Sequence, residues 1–263
     1  MSTYAGETAT NLKQCLESIT QQTILPRELV LVIDGPIDAG QEAVIAELAT
    51  SSIRLTLIRR ERSGGLAVAL NDGLKACSCS LAMRMDSDDV CAPDRVAIQA
   101  AYASAHPEVD VVASWAEDFY ADGRRSQMKI SPTEHADILA ALRWRNVIVH
   151  PSVLIRTKAL REIGGYRSKF GMLEDYDLYV RLAMAGAKFH VIPKVLMQVR
   201  ASLQQRARRG GFPYLLREIG FRAECRRIGF MTNAEFIVIT TLYGVFRIAS
   251  GAMRSQLYAL VRT

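Results

Sequence analysis

Three carboxylates fall within four residues at Asp86-Ser87-Asp88-Asp89, directly after Met83-Arg84-Met85. Like charges this close repel one another, so a group that neutralises them is expected. Aspartate oxygens suit a hard divalent cation, and Mg2+ is commonly held by one or two carboxylates together with substrate phosphates. In an extended segment Asp86 and Asp88 point to the same side, while Asp89 is placed to cap the helix that follows. The alternative for the whole triplet is an Asp-rich turn before a helix. A second acidic group, Glu174-Asp175-Tyr176-Asp177, opens a helical stretch. Acids in a first helical turn complement the helix dipole, which accounts for Asp177; it also has Arg181 at i,i+4 spacing. Glu174 and Asp175 remain as carboxylates able to serve as a general base.

Strands must carry these groups to one place. Residues 29–33 form an apolar run that ends at Asp34-Gly35-Pro36, and residues 53–58, 80–85 and 109–113 read as further strands. Helices are predicted over 10–21, 41–49, 66–75 and 94–104, the last with Pro93 in its first turn. This alternation implies an α/β fold with a mostly parallel sheet and helices on both faces. Ligands of such sheets bind beyond the carboxyl ends of the strands. Asp34 and the acid triplet therefore face one crevice, joined by Ser2-Thr3-Tyr4 as the run just after a first strand. The second half is less regular. Residues 146–155 look extended, interrupted by His150-Pro151. A helix is predicted over 173–185, with Gly186 as its C-cap, then an extended stretch over 191–199 and a basic loop holding Arg206, Arg208 and Arg209.

At 263 residues, 49% hydrophobic and 23% charged, the chain can bury one sizeable core and matches neither a disordered nor a collagen-like composition. Cys77 and Cys79 are one residue apart, unlike a zinc or redox pair, and five cysteines without a leader segment suit a reducing compartment. The net charge of +6 is uneven: from Arg200 onward there are eleven Arg and three Glu, so the part before it is slightly acidic. A basic tail seeks an anionic partner. No run of about 20 apolar residues exists to span a membrane. The longest, 236–246, leads into Arg247, Arg254 and Arg262, a pattern suited to a helix lying on a membrane surface; packing on the rest of the domain is the alternative. The expected division is an α/β domain over 1–200 and a basic helical extension over 201–263.

Taken together, several segments carry a resemblance. They are Ser2-Thr3-Tyr4-Ala5-Gly6-Glu7, Leu31-Val32-Ile33-Asp34-Gly35-Pro36, the stretch from Gly65 to Leu74 that includes Asn71, Arg84-Met85-Asp86-Ser87-Asp88-Asp89 with Pro93 and Arg95, His150-Pro151-Ser152-Val153, and Gly164-Gly165-Tyr166 followed by Glu174-Asp175-Tyr176-Asp177-Leu178. In order and spacing these resemble the family-2 glycosyltransferases of the GT-A fold, over about residues 1 to 200. Within that family the chain looks most similar to bacterial enzymes of exopolysaccharide and O-antigen assembly.

The resemblance implies roles. Asp88, with Asp86, would hold a divalent cation, Mn2+ or Mg2+. Tyr4, Asp34, Asn71, Arg84 and Asp86 would bind the nucleotide sugar. Asp175 would be the catalytic base, supported by Glu174. His150, Arg200, Arg208 and Arg209 would meet the acceptor or a diphosphate. Implied partners are a nucleotide-sugar donor, most often a UDP-sugar, a polyprenyl-diphosphate-linked acceptor, and the anionic inner face of the cytoplasmic membrane; no nucleic acid is implied. Ile33 stands where many members have the first of two acids. The Gln-x-x-Arg-Trp motif of processive members is absent, which favours addition of one sugar. A nucleotide-sugar-forming nucleotidyltransferase would be expected to show a Gly-rich N-terminal loop. A nucleic-acid-binding protein or non-catalytic scaffold using the basic tail would leave both acidic groups unexplained.

Overall fold

The computed structural model describes residues 1–49, 51–120, 126–201 and 211–248. Strands β1 (Ser2–Thr3), β2 (Glu28–Asp34) and β3 (Arg54–Arg60) form an all-parallel sheet. Ser2 and Thr3 themselves pair with Val32 and Ile33, so they are the first strand and not its sequel. Six of the seven β2 residues are buried, as a strand covered on both faces requires. Helix α1 (Ala9–Thr20) begins at Thr8, whose side chain accepts the Asn11 N–H. Helix α2 (Ala39–Leu48) begins with a capping box between Asp38 and Gln41. Helix α3 (Leu66–Ala76) follows β3.

A second sheet holds β4 (Leu81–Met83), β5 (Val90–Cys91), β6 (Val111–Phe119), β7 (Gln127–Lys129), β8 (Leu154–Arg156) and β9 (Phe189–Arg200). Its order is β4-β8-β6-β9-β5, with β7 also on β6. Here β6 and β9 run parallel, while the β4–β8, β6–β8, β5–β9 and β6–β7 pairs are antiparallel. The second half is thus mixed: the short β6–β7 connection closes a hairpin, which parallel strands cannot do. A parallel bridge between Ser2 and Asp86 joins the two sheets. The acid triplet therefore leaves the combined sheet near its centre. Helix α4 (Arg95–Ala105) starts after Asp94, so Pro93 lies just outside its first turn.

The remaining helices are α5 (His135–Trp144), α6 (Thr157–Glu162), α7 (Glu174–Met184), α8 (Phe212–Arg227) and α9 (Asn233–Ile248). The main core unites Ile138 and Leu142 of α5, Leu178 and Leu182 of α7, and Phe221, Cys225 and Ile239 of α8 and α9. Each such side chain contributes about 1.5–3 kcal/mol on full burial. The two C-terminal helices thus share their core with α7. A second core lies between α1, α2 and β2, around Leu12, Leu16, Leu31 and Ile45. Among the described residues, no helix is long and apolar enough to cross a membrane.

Candidate active site

Asp86, Asp88 and Asp89 all line one cleft of about 680 Å3. Met85 next to them is buried in the α1–β2 core, which anchors the loop from behind. Burial, then the neighbouring Asp86 and Glu7 carboxylates, push the Asp88 carboxyl up to about 6. Asp89 is pushed well up for the same reasons: burial first, then Asp86 and Asp88. The triplet is thus a set of oxygen donors whose repulsion is relieved by a positive charge. Arg84 supplies part of that charge through an ion pair with Asp86. Burial pulls the Arg84 pKa down, but the Asp86 carboxylate more than offsets this, so the guanidinium stays charged. Its Nε and Nη1 are buried without a hydrogen-bond partner, so its charge is directed chiefly at Asp86.

Asp89 does not cap α4, whose N-cap is Asp94. Its Oδ1 accepts the backbone N–H of Arg200 at 2.8 Å. The Arg200 side chain then donates from Nε to the Asp88 carbonyl at 3.0 Å and from Nη2 to Gln14 at 2.6 Å. It also lies 4.4 Å from the centre of the Phe119 ring. Arg200 lines the cleft, but its guanidinium is engaged in shaping the acid loop.

The second acidic group reaches the same cleft, through Glu174 and Asp175 at the start of α7. Asp175 Oδ2 accepts from Asn146 Nδ2 at 2.8 Å and Oδ1 from the Tyr176 N–H at 2.7 Å. Asp177 points away and is buried, taking Arg181 at 2.8 Å and Arg167 at 2.9 Å. His150 also lines the cleft, its Nε2 at 3.1 Å from the Tyr166 hydroxyl. Burial, with Asp175 alongside, pushes Glu174 up to about 7, and its Oε2 is buried without a hydrogen-bond partner. A carboxyl raised from 4.5 to about 7 binds more protons folded than unfolded across that window. Stability therefore falls as pH rises through it, and the penalty is complete above about pH 7. Glu174→Gln is expected to raise the melting temperature at pH 8, by up to about 3 kcal/mol of stability, and to give no gain at pH 4. Thermal unfolding at the two pH values measures this.

Four of the residues expected at the nucleotide sit outside the lining of this cleft. Asp34 is buried, with its oxygens on the N–H groups of Gly64 and Gly65 at 2.9 Å, the Ser63 hydroxyl at 2.7 Å and Arg60 at 3.0 Å. It shapes the loop before α3 and offers no open oxygen to a base. Asn71 is likewise engaged: its amide bonds both the carbonyl and the N–H of Tyr166, each at 2.8 Å. That contact explains Gly165, which has φ 68°, and where a Cβ would come within 2.3 Å of the Asn71 oxygen. Arg84 acts from behind Asp86. Tyr4 remains 45% exposed, its ring laid over Gly6, and is open to stacking. Arg208 and Arg209 lie outside the described residues.

The cleft also takes in residues that no short motif marks: Asp118, Lys129, Arg145 and Asn146. Asp118 and Lys129 form an ion pair at 2.5 Å across the β6–β7 hairpin. The exposed side chains of Met128 and Ile130 border them. The lining therefore combines acids with cations and exposed apolar surface.

The sequence profile described as glycosyl transferase family 2 matches residues 1–164. The chain belongs to this family. As a family-2 glycosyltransferase it is 34% identical over 245 residues to the amylovoran biosynthesis glycosyltransferase AmsE of Erwinia amylovora, covering 92% of this chain and 91% of that one. It is 27% identical over 264 residues to the Escherichia coli UDP-Gal:alpha-D-GlcNAc-diphosphoundecaprenol beta-1,3-galactosyltransferase, covering 99% and 94%. Among solved structures, residues 1–349 of Staphylococcus aureus TarS in complex with UDP-GlcNAc superpose with a TM-score of 0.67 at 17% identity, covering 97% of this chain and 76% of that one. The glycosyltransferase therefore has the GT-A fold that the resemblance implied.

Proposed function

We propose that this glycosyltransferase moves one sugar from a nucleotide-sugar donor, a UDP-sugar, to a lipid-linked oligosaccharide in bacterial exopolysaccharide or O-antigen assembly. The observation that carries the reading is the meeting of two acidic groups, Asp86/Asp88 and Glu174/Asp175, on one cleft. The names of the two relatives support the pathway, and the second supports UDP and a diphosphate-linked lipid acceptor.

In this reading Asp175 takes the proton of the acceptor hydroxyl. The hydroxyl oxygen attacks the anomeric carbon from the face opposite the diphosphate. The bond to the diphosphate breaks with its electron pair, nucleoside diphosphate leaves, and the configuration inverts. Asn146 keeps Asp175 facing the cleft. Arg84 fixes Asp86 and brings positive charge behind the departing phosphates. The donor set at Asp86 and Asp88 fits a hard cation: oxygens only, partly buried, with Asp88 raised to about 6 by burial and its acidic neighbours. Bound there, Mn2+ or Mg2+ would neutralise charge developing on the leaving diphosphate.

A screen of nucleotide sugars with Mn2+ or Mg2+, scored by nucleoside diphosphate release, tests the reaction. Turnover of a UDP-sugar that rises with a polyprenyl-diphosphate acceptor is the expected result; no turnover of any donor defeats the proposal. In the same reading, use of a lipid-linked acceptor would put the protein at the inner face of the cytoplasmic membrane. The exposed Ile237, Val238 and Leu242 of α9, in an Arg-rich part of the chain, suit contact with an anionic bilayer. Ile237→Asp with Leu242→Asp is expected to abolish co-sedimentation with phosphatidylglycerol vesicles. Binding equal to wild type would remove this helix from the membrane contact.

A further inference from the structure

The end of α5 is held by an unusual number of buried groups. Three consecutive carbonyls, those of Leu142, Arg143 and Trp144, close its last turn. Tyr176 donates its hydroxyl to the first. Arg222 of α8 donates Nη1 to the second at 2.9 Å and Nη2 to the third at 2.8 Å. Arg222 is only 2% exposed, and its Nη1 also bonds the Tyr176 oxygen at 3.3 Å. Its guanidinium stands 5.4 Å from the Tyr176 ring centre and 5.1 Å from that of Tyr243. A cation at a helix C-terminus also meets the negative end of the helix dipole.

Two residues past this clamp stands Asn146. Its Oδ1 accepts the Ile148 N–H at 3.1 Å, which fixes the orientation of the amide. The Nδ2 group is thereby turned to Asp175, the neighbour of Tyr176. The start of α7 and the end of α5 are thus tied twice, once through Tyr176 and once through Asn146, and α8 locks the first tie.

We propose that Asn146 and Arg222 are positioning residues for Asp175: Asn146 aims the carboxylate, and Arg222 holds the α5 end that aims Asn146. The proposal rests on the reading of Asp175 as the base. It gives the C-terminal helices a part in the transfer step, although none of their described residues lines the cleft.

Two variants test it. Asn146→Ala is expected to lower kcat for sugar transfer by about 10–100-fold, as loss of an orienting partner does elsewhere. Its donor KM and melting temperature should stay near wild type, since Asp86 and Asp88 are untouched. Arg222→Leu is expected to speed amide hydrogen exchange at residues 142–146 and 174–176 but not at 86–89, and Arg222→Lys to restore part of the protection. Unchanged kcat in Asn146→Ala overturns the proposal. So does a loss of kcat matched by equal losses in donor affinity and melting temperature, which marks a general role in folding. Unchanged exchange at 142–146 in Arg222→Leu removes Arg222 from it. Absence of any donor turnover by the wild type would defeat the base reading separately, while the exchange data would still decide whether the clamp exists.

Discussion

Asp88→Ala is expected to lower sugar transfer by at least about 10³-fold while leaving the protein as stable as wild type or more so. Single preorganised electrostatic groups are worth about 10²–10³ in kcat, and in the proposed reading Asp88 both holds the cation and faces the phosphates. The stability sign follows from its surroundings. Burial, Asp86 and Glu7 raise its carboxyl to about 6, so above that pH the ionised form is a cost to the fold. Removing it relieves repulsion within the triplet. A loss of activity through unfolding would carry the opposite sign. Thermal shift with metal gives the second readout. Mn2+ at a hundred times its dissociation constant would add about 2.7 kcal/mol to the wild-type native state, and the variant should lose that gain. A variant that keeps both the metal shift and its turnover would show that the cation is held elsewhere.

Asp175→Asn is expected to remove about 10²–10⁴ of the transfer rate, the usual range for a general base. Asparagine has the same shape; its single carbonyl oxygen keeps one of the two donors, Asn146 or the Tyr176 N–H, and the change leaves Asp86 and Asp88 untouched. Binding of UDP measured by calorimetry should therefore match wild type. The comparison with Glu174→Gln is informative, because Glu174 lines the same cleft and is raised to about 7, near the pH at which a base is most useful. If Asp175→Asn kept full rate and Glu174→Gln lost it, the base would be Glu174. The geometry favours Asp175, which has an orienting donor in Asn146, whereas Glu174 has a buried oxygen with none.

The parts of this site legible in the sequence are those set by local spacing. The triplet follows a strand and its three acids line the cleft, although Ser87 and Asp88 form a turn and not the extended run that period-two alternation assumes. Asp177 is explained by Arg181 one turn on, and the structure pairs them. What spacing does not reveal is where a polar side chain is already engaged. Asn71 belongs to a recognisable motif, yet its amide serves Tyr166, 95 residues away. Asp34 ends its strand as expected, but the loop of Ser63, Gly64 and Gly65 claims its oxygens. Asn146 and Asp118 carry no local pattern at all, since a helix end and a hairpin bring them in. The apolar run over 236–246 is readable as part of a helix; the bounds 212–227 and 233–248, and the way both helices complete the core around α7, are not, because an apolar run does not say what covers it.

The bond from Asp89 to the backbone of Arg200 also bears on when the site comes into being. Its partners are 111 residues apart, and the parallel β6–β9 ladder that carries Arg200 into place is itself a pairing across a long loop. Contacts of this span form late, after the loop-closure entropy has been met by other interactions. During synthesis the acid triplet emerges long before the strand that shapes it. The nascent chain therefore carries three unassembled carboxylates, and the acid loop takes its final shape only once β9 has docked.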